Sequence, residues 1–327
     1  MNHLPREGDF VLTTDDLIFD VKGMCHPPDR IISFVRYVPD SEGNRFRNGI
    51  PYTKIYDLED RFHFLKERFP HYIYFDPVFQ RTLQGVPLTR VKQIFDPVMK
   101  LKTLHDAGPR DTLEEAALHL ATSLATPPEV LGISGSILMG MHTEQSDIDL
   151  VIYGKKEGIK AFQRLQTLRA TGKVDALNRF HAQEKALFRW GSSLKTLIEI
   201  EQHKLLHGFF EGSEYFIRLV PLSFEPYGSV QYIPQYKATL TGWIEDDSES
   251  IFTPCCYGLS DSSISHVTRL ISFRGRYCEQ VTSGEKIIAR GTVEKVCTPS
   301  GEFYHMVLGD MTDFLLPADV SCSVLEK

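Results

Sequence analysis

The sequence predicts an α+β protein in three parts: an N-terminal α+β module (1–108), a mixed-sheet core of α/β type (109–228) and a small C-terminal β-barrel-like domain (229–327). Three observations carry this expectation. The 327 residues, 42% of them hydrophobic, exceed what one core usually organises, so two or three domains are expected. Residues 112–168 alternate helical patterns with short apolar runs, as a sheet flanked by helices does. From about 230 onward, strand-like runs follow one another with only short turns between them, as in barrels and sandwiches.

In the first part, LIFDVKG and RIISFVRYVP are apolar runs separated by MCHPPD. The two prolines and the aspartate make a turn, so two strands joined by a short loop are expected. DLEDRFHFLKERF places Leu58, Phe62, Leu65 and Phe69 at helical spacing, with Asp57 available as a cap. LTRVKQIF, with Val91, Ile94 and Phe95, is read as helical too and ends near Pro97. AGPRD (107–111) is a plausible boundary.

In the second part, TLEEAALHLATSLA opens on a Thr112/Glu115 capping-box pattern and stops at Pro127–Pro128. EVLGIS and DLVIYG read as buried strands with a short helical stretch between them. IKAFQRLQTLR is a helix with Ile159, Phe162, Leu165 and Leu168 on one face. EKALFRW and LKTLIEIEQHKLL read as helices, and YFIRLVPL as a strand. In the third part, KATLTGW, IFTPCCYG, HVTRLISFRG, EKIIARGTVEKV and FYHMVLG are strand-like, with SGE (283–285) and PSGE (299–302) as turns. ISFRGRY mixes Phe273 and Tyr277 with Arg274 and Arg276. That mixture suits a nucleic-acid platform, or equally an aromatic core with surface arginines.

No apolar run approaches the roughly 18 residues that cross a membrane, and MNHLPREGDF has no secretory signature, so a cytoplasmic protein is expected. Cys25, Cys255, Cys256, Cys278, Cys297 and Cys322 form no C-x-x-C pair, and reduced thiols are expected. The net charge of −7 excludes a protein that coats nucleic acid over its whole surface. The charge is uneven, however. Residues 155–195 hold ten lysines and arginines against three acids, a balance of +7 that leaves −14 for the rest.

The chemistry concentrates in GISGSILMGMHTEQSDIDL, residues 132–150. Asp147 and Asp149 flank Ile148 at the start of an apolar strand, so strand alternation points both carboxylates to one face. Two such carboxylates repel unless they share a cation, and hard oxygen ligands suit Mg²⁺, which also bridges phosphate oxygens. Gly135 lets the backbone approach a phosphate closely. Ser136 offers a hydroxyl and an N–H at a helix start, where an anion is favoured. A phosphate cradle ten residues before a carboxylate pair makes a coherent nucleoside triphosphate site.

Gly135, Ser136, Gly140, Ser146, Asp147, Asp149 and Leu150 match in type and spacing the signature of the DNA polymerase β-like nucleotidyltransferase superfamily, particularly its minimal members. The resemblance is firm over 129–153 and extends plausibly to 222. The whole chain also resembles a group of archaeal proteins called predicted nucleotidyltransferases. The resemblance implies a nucleotidyltransferase core, a mixed sheet flanked by helices, with Gly135 and Ser136 holding the triphosphate and Asp147 and Asp149 holding Mg²⁺. It implies transfer of a nucleoside monophosphate from ATP or another triphosphate to a hydroxyl, with release of pyrophosphate. The acceptor is left open among RNA, a protein and a small molecule. Lys185 and Arg189, four apart on an expected helix, are candidate phosphate contacts or simply a solvated face.

One feature departs from the pattern. Active members add a third carboxylate from a later strand, and the matching strand here, 215–222, carries Arg218. The nearest acids, Glu214, Glu199 and Glu201, fit that place poorly. A non-catalytic nucleotide- or RNA-binding regulatory protein on the same fold is therefore the alternative to an enzyme.

Overall fold

The fold is that of a computed structural model, which describes residues 3–192, 194–223 and 225–318. It is a mixed α+β architecture in which sheets dominate. Two compact units are present. One comprises Met1–Arg164 with Phe210–Gly228, and the other Leu165–Phe209 with Ser229–Lys327.

The first unit begins with β1 (Phe10–Thr13), β2 (Ile18–Val21), β3 (Arg30–Pro39), β4 (Arg45–Arg47), β5 (Ile50–Lys54), α1 (Leu58–Arg68), β6 (Ile73–Asp76), β7 (Arg81–Pro87) and β8 (Val91–Phe95). Their strands form one sheet in the order β4-β5-β3-β2-β1-β8, with β7 on β3 and β6 on β7. Strand alternation sorts the side chains into two cores. Val11, Phe19, Val21 and Val35 pack with Leu65 of α1 on one face. Phe10, Leu12, Ile18, Tyr37 and Tyr52 form the other face. The Asp57 carboxylate caps α1, accepting the Glu59 N–H at 2.7 Å.

LTRVKQIF corrects the helical expectation: its second half is β8, paired antiparallel with β1. The register shifts between Leu12 and Thr13, and this irregularity lets Val91 and Ile94, three apart, meet the same core. A bulged strand thus imitates helical spacing.

The unit continues with α2 (Pro97–Ala107), α3 (Thr112–Ser123), β9 (Leu131–Ile133), α4 (Gly135–Met139), β10 (Ile148–Tyr153) and the start of α5 (Lys155–Ala170). The cap of α3 is Asp111, one residue earlier than the capping box placed it, with its Oδ1 accepting the Glu114 N–H at 2.9 Å. Later in the chain, β12 (Ser213–Val220) lies parallel to β10, and β9 lies antiparallel on β10's other side. Leu138 and Met139 of α4 and Met141 pack against Phe10, Ile18, Tyr37 and Tyr52. The first 108 residues and the Gly-Ser segment thus share one core.

The second unit holds the end of α5, α6 (Arg179–Trp190), α7 (Lys195–His203) and most of β11 (His207–Phe210). It then adds β13 (Gln231–Glu249), β14 (Cys255–Ser260), β15 (Val267–Ser272), β16 (Lys286–Thr298), β17 (Gly301–Val307) and β18 (Phe314–Pro317). Here β13 pairs with β14, β14 with β15, β15 in parallel with β17, β17 with β16, and β16 back with β13. The pairings close a ring, to which β18 adds on β16. Ala182, Ala186, Leu197 and Ile198 of the two helices pack with Leu316 of β18.

In ISFRGRY the structure favours the aromatic-core alternative. Tyr277 is buried, the Arg274 Nε donates to the Gly309 carbonyl at 3.1 Å, and Arg276 donates to the Asp310 carbonyl at 3.0 Å. Only Phe273 of the four is an exposed large apolar side chain. Cys25, Cys255, Cys256, Cys278 and Cys297 are free thiols, and Cys322 lies outside the described residues. Among the described residues no helix is long and apolar enough to cross a membrane.

Candidate functional site

The Gly-Ser turn and the aspartate strand meet because β9 and β10 pair antiparallel. Leu150 lies opposite Ile133, and the Ser134 N–H donates to the Asp149 carbonyl at 2.8 Å. This sets Gly135 against the Asp149 side chain. A Cβ on Gly135 would stand 1.9 Å from Asp149 Oδ2, and its φ of +61° is left-handed, so glycine is required for both reasons. Ser136 is 3% exposed and its Oγ is enclosed without a hydrogen-bond partner. An orphaned buried hydroxyl costs roughly 1–3 kcal/mol, so Ser136 carries an unmet hydrogen-bonding capacity beside Asp149. The helix that follows has only five residues, so a helix dipole adds little there.

Asp149 is half-buried. Burial first, and the neighbouring Asp147 charge second, push its carboxyl up to about 7, while Lys54, Arg218 and Arg36 pull it down. The loop between turn and strand is fixed from β4. The Arg45 Nη1 donates to the Met141 carbonyl and to the Ser146 Oγ, each at 3.0 Å, and Ser146 Oγ also accepts the Thr143 N–H. Arg47 donates to the Met139 carbonyl and stacks 4.6 Å over Phe95. Ser146 therefore organises the loop.

Asp20, Arg36, Lys54, Ser136, Asp149 and Arg218 line one cavity of about 80 Å³. That is room for an ion and a few waters, so the bulk of a nucleotide would lie outside it. Asp20, Arg36 and Lys54 come from the N-terminal sheet and carry no recognisable motif. The signal that could have found them is a charged residue inside an apolar strand, as in IFDVKG and SFVRYV. Arg218 lies opposite Val151 on β12 and donates to the Glu7 carboxylate, which is itself 1% exposed. A larger hollow of about 370 Å³ beside Phe62, Lys66 and Ile73 holds no carboxylates.

The cavity offers a hard cation the Asp20 and Asp149 carboxylates and the Ser136 hydroxyl, beside Arg36, Lys54 and Arg218. Asp147, half-buried just before β10, is not among its lining residues. Lys185 and Arg189 belong to the other unit. There the Arg189 Nη1 is 2.6 Å from Glu201 and its Nη2 is 3.0 Å from His207 Nδ1. Lys185 is half-buried on α6, and its charge also acts on His207. Glu201 is buried in this cluster, and Glu199 sits 3.4 Å from Lys195.

A separate group, His3, Asp9 and Asp96, has ligand atoms within 4.8 Å of one another. Arg6 already supplies cationic charge there, with its Nη2 3.3 Å from Asp96 and its guanidinium stacked 3.7 Å over Tyr153. It reads as a clamp on the N-terminal segment.

The chain is similar to an uncharacterized protein, MJ1086, of Methanocaldococcus jannaschii. The two are 29% identical over 321 residues, which cover 93% of this chain and 94% of that one. No family model matches the chain, and no solved structure matches it.

Proposed function

We propose that the protein is a Mg²⁺-dependent nucleotidyltransferase that moves a nucleoside monophosphate from a nucleoside triphosphate to a hydroxyl acceptor, releasing pyrophosphate. The observation that supports this most is Ser136, a buried hydroxyl without a partner, in the same cavity as a carboxylate that only a glycine can adjoin. In this reading Asp147 and Asp149 hold Mg²⁺, which when bound neutralises charge on the phosphate oxygens. Gly135 and Ser136 receive the phosphates. Arg36, Lys54 and Arg218 add positive charge around them, with Arg218 held in place by Glu7. The ring of strands in the second unit, β13-β14-β15-β17-β16 with β15 and β17 parallel, supports an oligonucleotide-binding-type barrel, and RNA is then a natural acceptor class.

The test is incubation with labelled nucleoside triphosphates, Mg²⁺ and a panel of RNA and protein acceptors. Pyrophosphate release is expected, and Asp147→Ala and Asp149→Ala are each expected to lower it by at least about 100-fold. Unchanged transfer in both variants would refute the metal role. The second reading, a nucleotide-binding regulator without turnover, is favoured by Arg218 where an acid is expected. Calorimetric nucleotide binding with no release on any acceptor would select it.

The raised carboxyl of Asp149 adds a pH dependence. A cation must displace the proton that Asp149 keeps below about pH 7. Mn²⁺ or Mg²⁺ affinity is therefore expected to fall about tenfold per pH unit below 7 and to level off above it. In the metal-free protein the folded state binds the extra proton between the ordinary carboxylate pKa and 7. Asp149 therefore lowers stability progressively as pH rises through that window. Titration calorimetry and thermal melting between pH 5.5 and 8.5 check both slopes, and a flat affinity profile would contradict them.

A further inference from the structure

We propose that Asp20, on β2, joins Asp149 as a cation ligand of this cavity, so that the N-terminal sheet contributes a carboxylate absent from the strand beside β10. This rests on the nucleotidyltransferase reading and deepens it.

On β12 the residues opposite Asp149 and Val151 are Phe216 and Arg218, and neither can ligate a cation. Asp20 lines the same cavity as Asp149 and Ser136. Its direction follows from β2. Phe19 and Val21 enter the core with α1, so alternation turns Ile18 and Asp20 the other way. Ile18 on that face packs in one cluster with Leu138 and Met139 of α4, the helix that carries Gly135 and Ser136. Arg36 and Arg218 line the same cavity as the two carboxylates.

The Asp20 carboxylate is already held in an ion pair. Its present partner is Lys22, whose Nζ lies 2.7 Å from Asp20 Oδ2 and 3.3 Å from Glu7 Oε1. Lys22 can keep Glu7 when Asp20 turns to a cation. Glu7 likewise holds Arg218.

The experiment is a Mn²⁺ titration of the full chain, followed by the electron paramagnetic resonance signal of the free ion, with and without a non-hydrolysable ATP analogue. Asp20→Asn is expected to weaken Mn²⁺ binding at least about tenfold while binding of the analogue without metal changes less than about threefold. Asp20→Glu, which keeps the charge, is expected to recover part of the affinity. Where the amide disturbs folding, judged by the melting curve, Asp20→Ser replaces it in the comparison. If Asp20→Asn and Asp20→Glu both bind Mn²⁺ as the unaltered chain does while Asp147→Asn does not, the proposal for Asp20 is overturned and the site reading stands. If Asp147→Asn and Asp149→Asn also bind Mn²⁺ normally, both readings fall.

Discussion

Gly135→Ala is expected to abolish divalent-cation binding while leaving a folded protein. The added Cβ would stand 1.9 Å from Asp149 Oδ2, 2.7 Å from its Cγ and 3.0 Å from its Cβ. The end of the Asp149 side chain can move, whereas the strand that carries it is fixed by pairing on both sides. The carboxylate therefore swings out of the cavity, and the loss should resemble that of Asp149→Asn. The left-handed φ adds roughly 1–2 kcal/mol of backbone strain.

Gly140→Ala separates the two causes. Its φ of +64° brings the same strain, yet a Cβ there meets nothing nearer than Arg47 Nη1 at 4.0 Å. Gly140→Ala should thus lower the melting temperature and leave Mn²⁺ affinity within a few-fold of the unaltered chain. Equal Mn²⁺ affinities for the two variants would show that the contact with Asp149 does not matter.

How much of this was legible in the sequence depends on how far apart the interacting residues lie. The Asp57 cap and strand β10 are local patterns, and they lie where the periodicity put them, although Asp147 falls just before the strand and only Asp149 of the two lines the cavity. Gly135 was legible as a residue of close backbone approach, but its contact with Asp149 and its left-handed φ depend on the β9–β10 register. β8 imitates a helix because Lys92 is an extra residue opposite Leu12 and Thr13 of β1, and this bulge gives Val91 and Ile94 a three-residue spacing within a strand. Asp20, Arg36 and Lys54 left only a weak trace. Each is a charge in a largely apolar strand, and its meaning depends on a core built with Leu138 and Met139, about a hundred residues away. Lys185 and Arg189 show the converse. Their i, i+4 spacing suits a phosphate contact, yet the Arg189 guanidinium is spent on Glu201 and His207.

The largest effect on stability is expected inside the second unit, at Lys204. Its side chain and that of Glu201 are both fully enclosed. The ammonium has three N–H donors and three acceptors: the Arg276 carbonyl at 2.6 Å, Gln280 Oε1 at 3.0 Å and Glu201 Oε1 at 3.3 Å. Burial pulls the lysine below its usual range, and Glu201 pulls it back. Lys204→Met fills the same volume but leaves the Arg276 carbonyl and Gln280 Oε1 without that donor. Removing one partner of a buried pair costs about 3–5 kcal/mol. The lower end is expected here, because Glu201 keeps Arg189 at 2.6 Å and the Trp190 Nε1 at 3.3 Å. Glu201→Gln should be worse, since it strips charge from Lys204 and Arg189 together and leaves two cations facing a neutral amide. Urea denaturation of both single variants and the double variant measures the coupling. A loss below about 1 kcal/mol in Lys204→Met would mean that desolvating the lysine had already cancelled the energy of its three hydrogen bonds. The ordering of the two single variants decides whether Glu201, held by two cations, is the centre of the cluster.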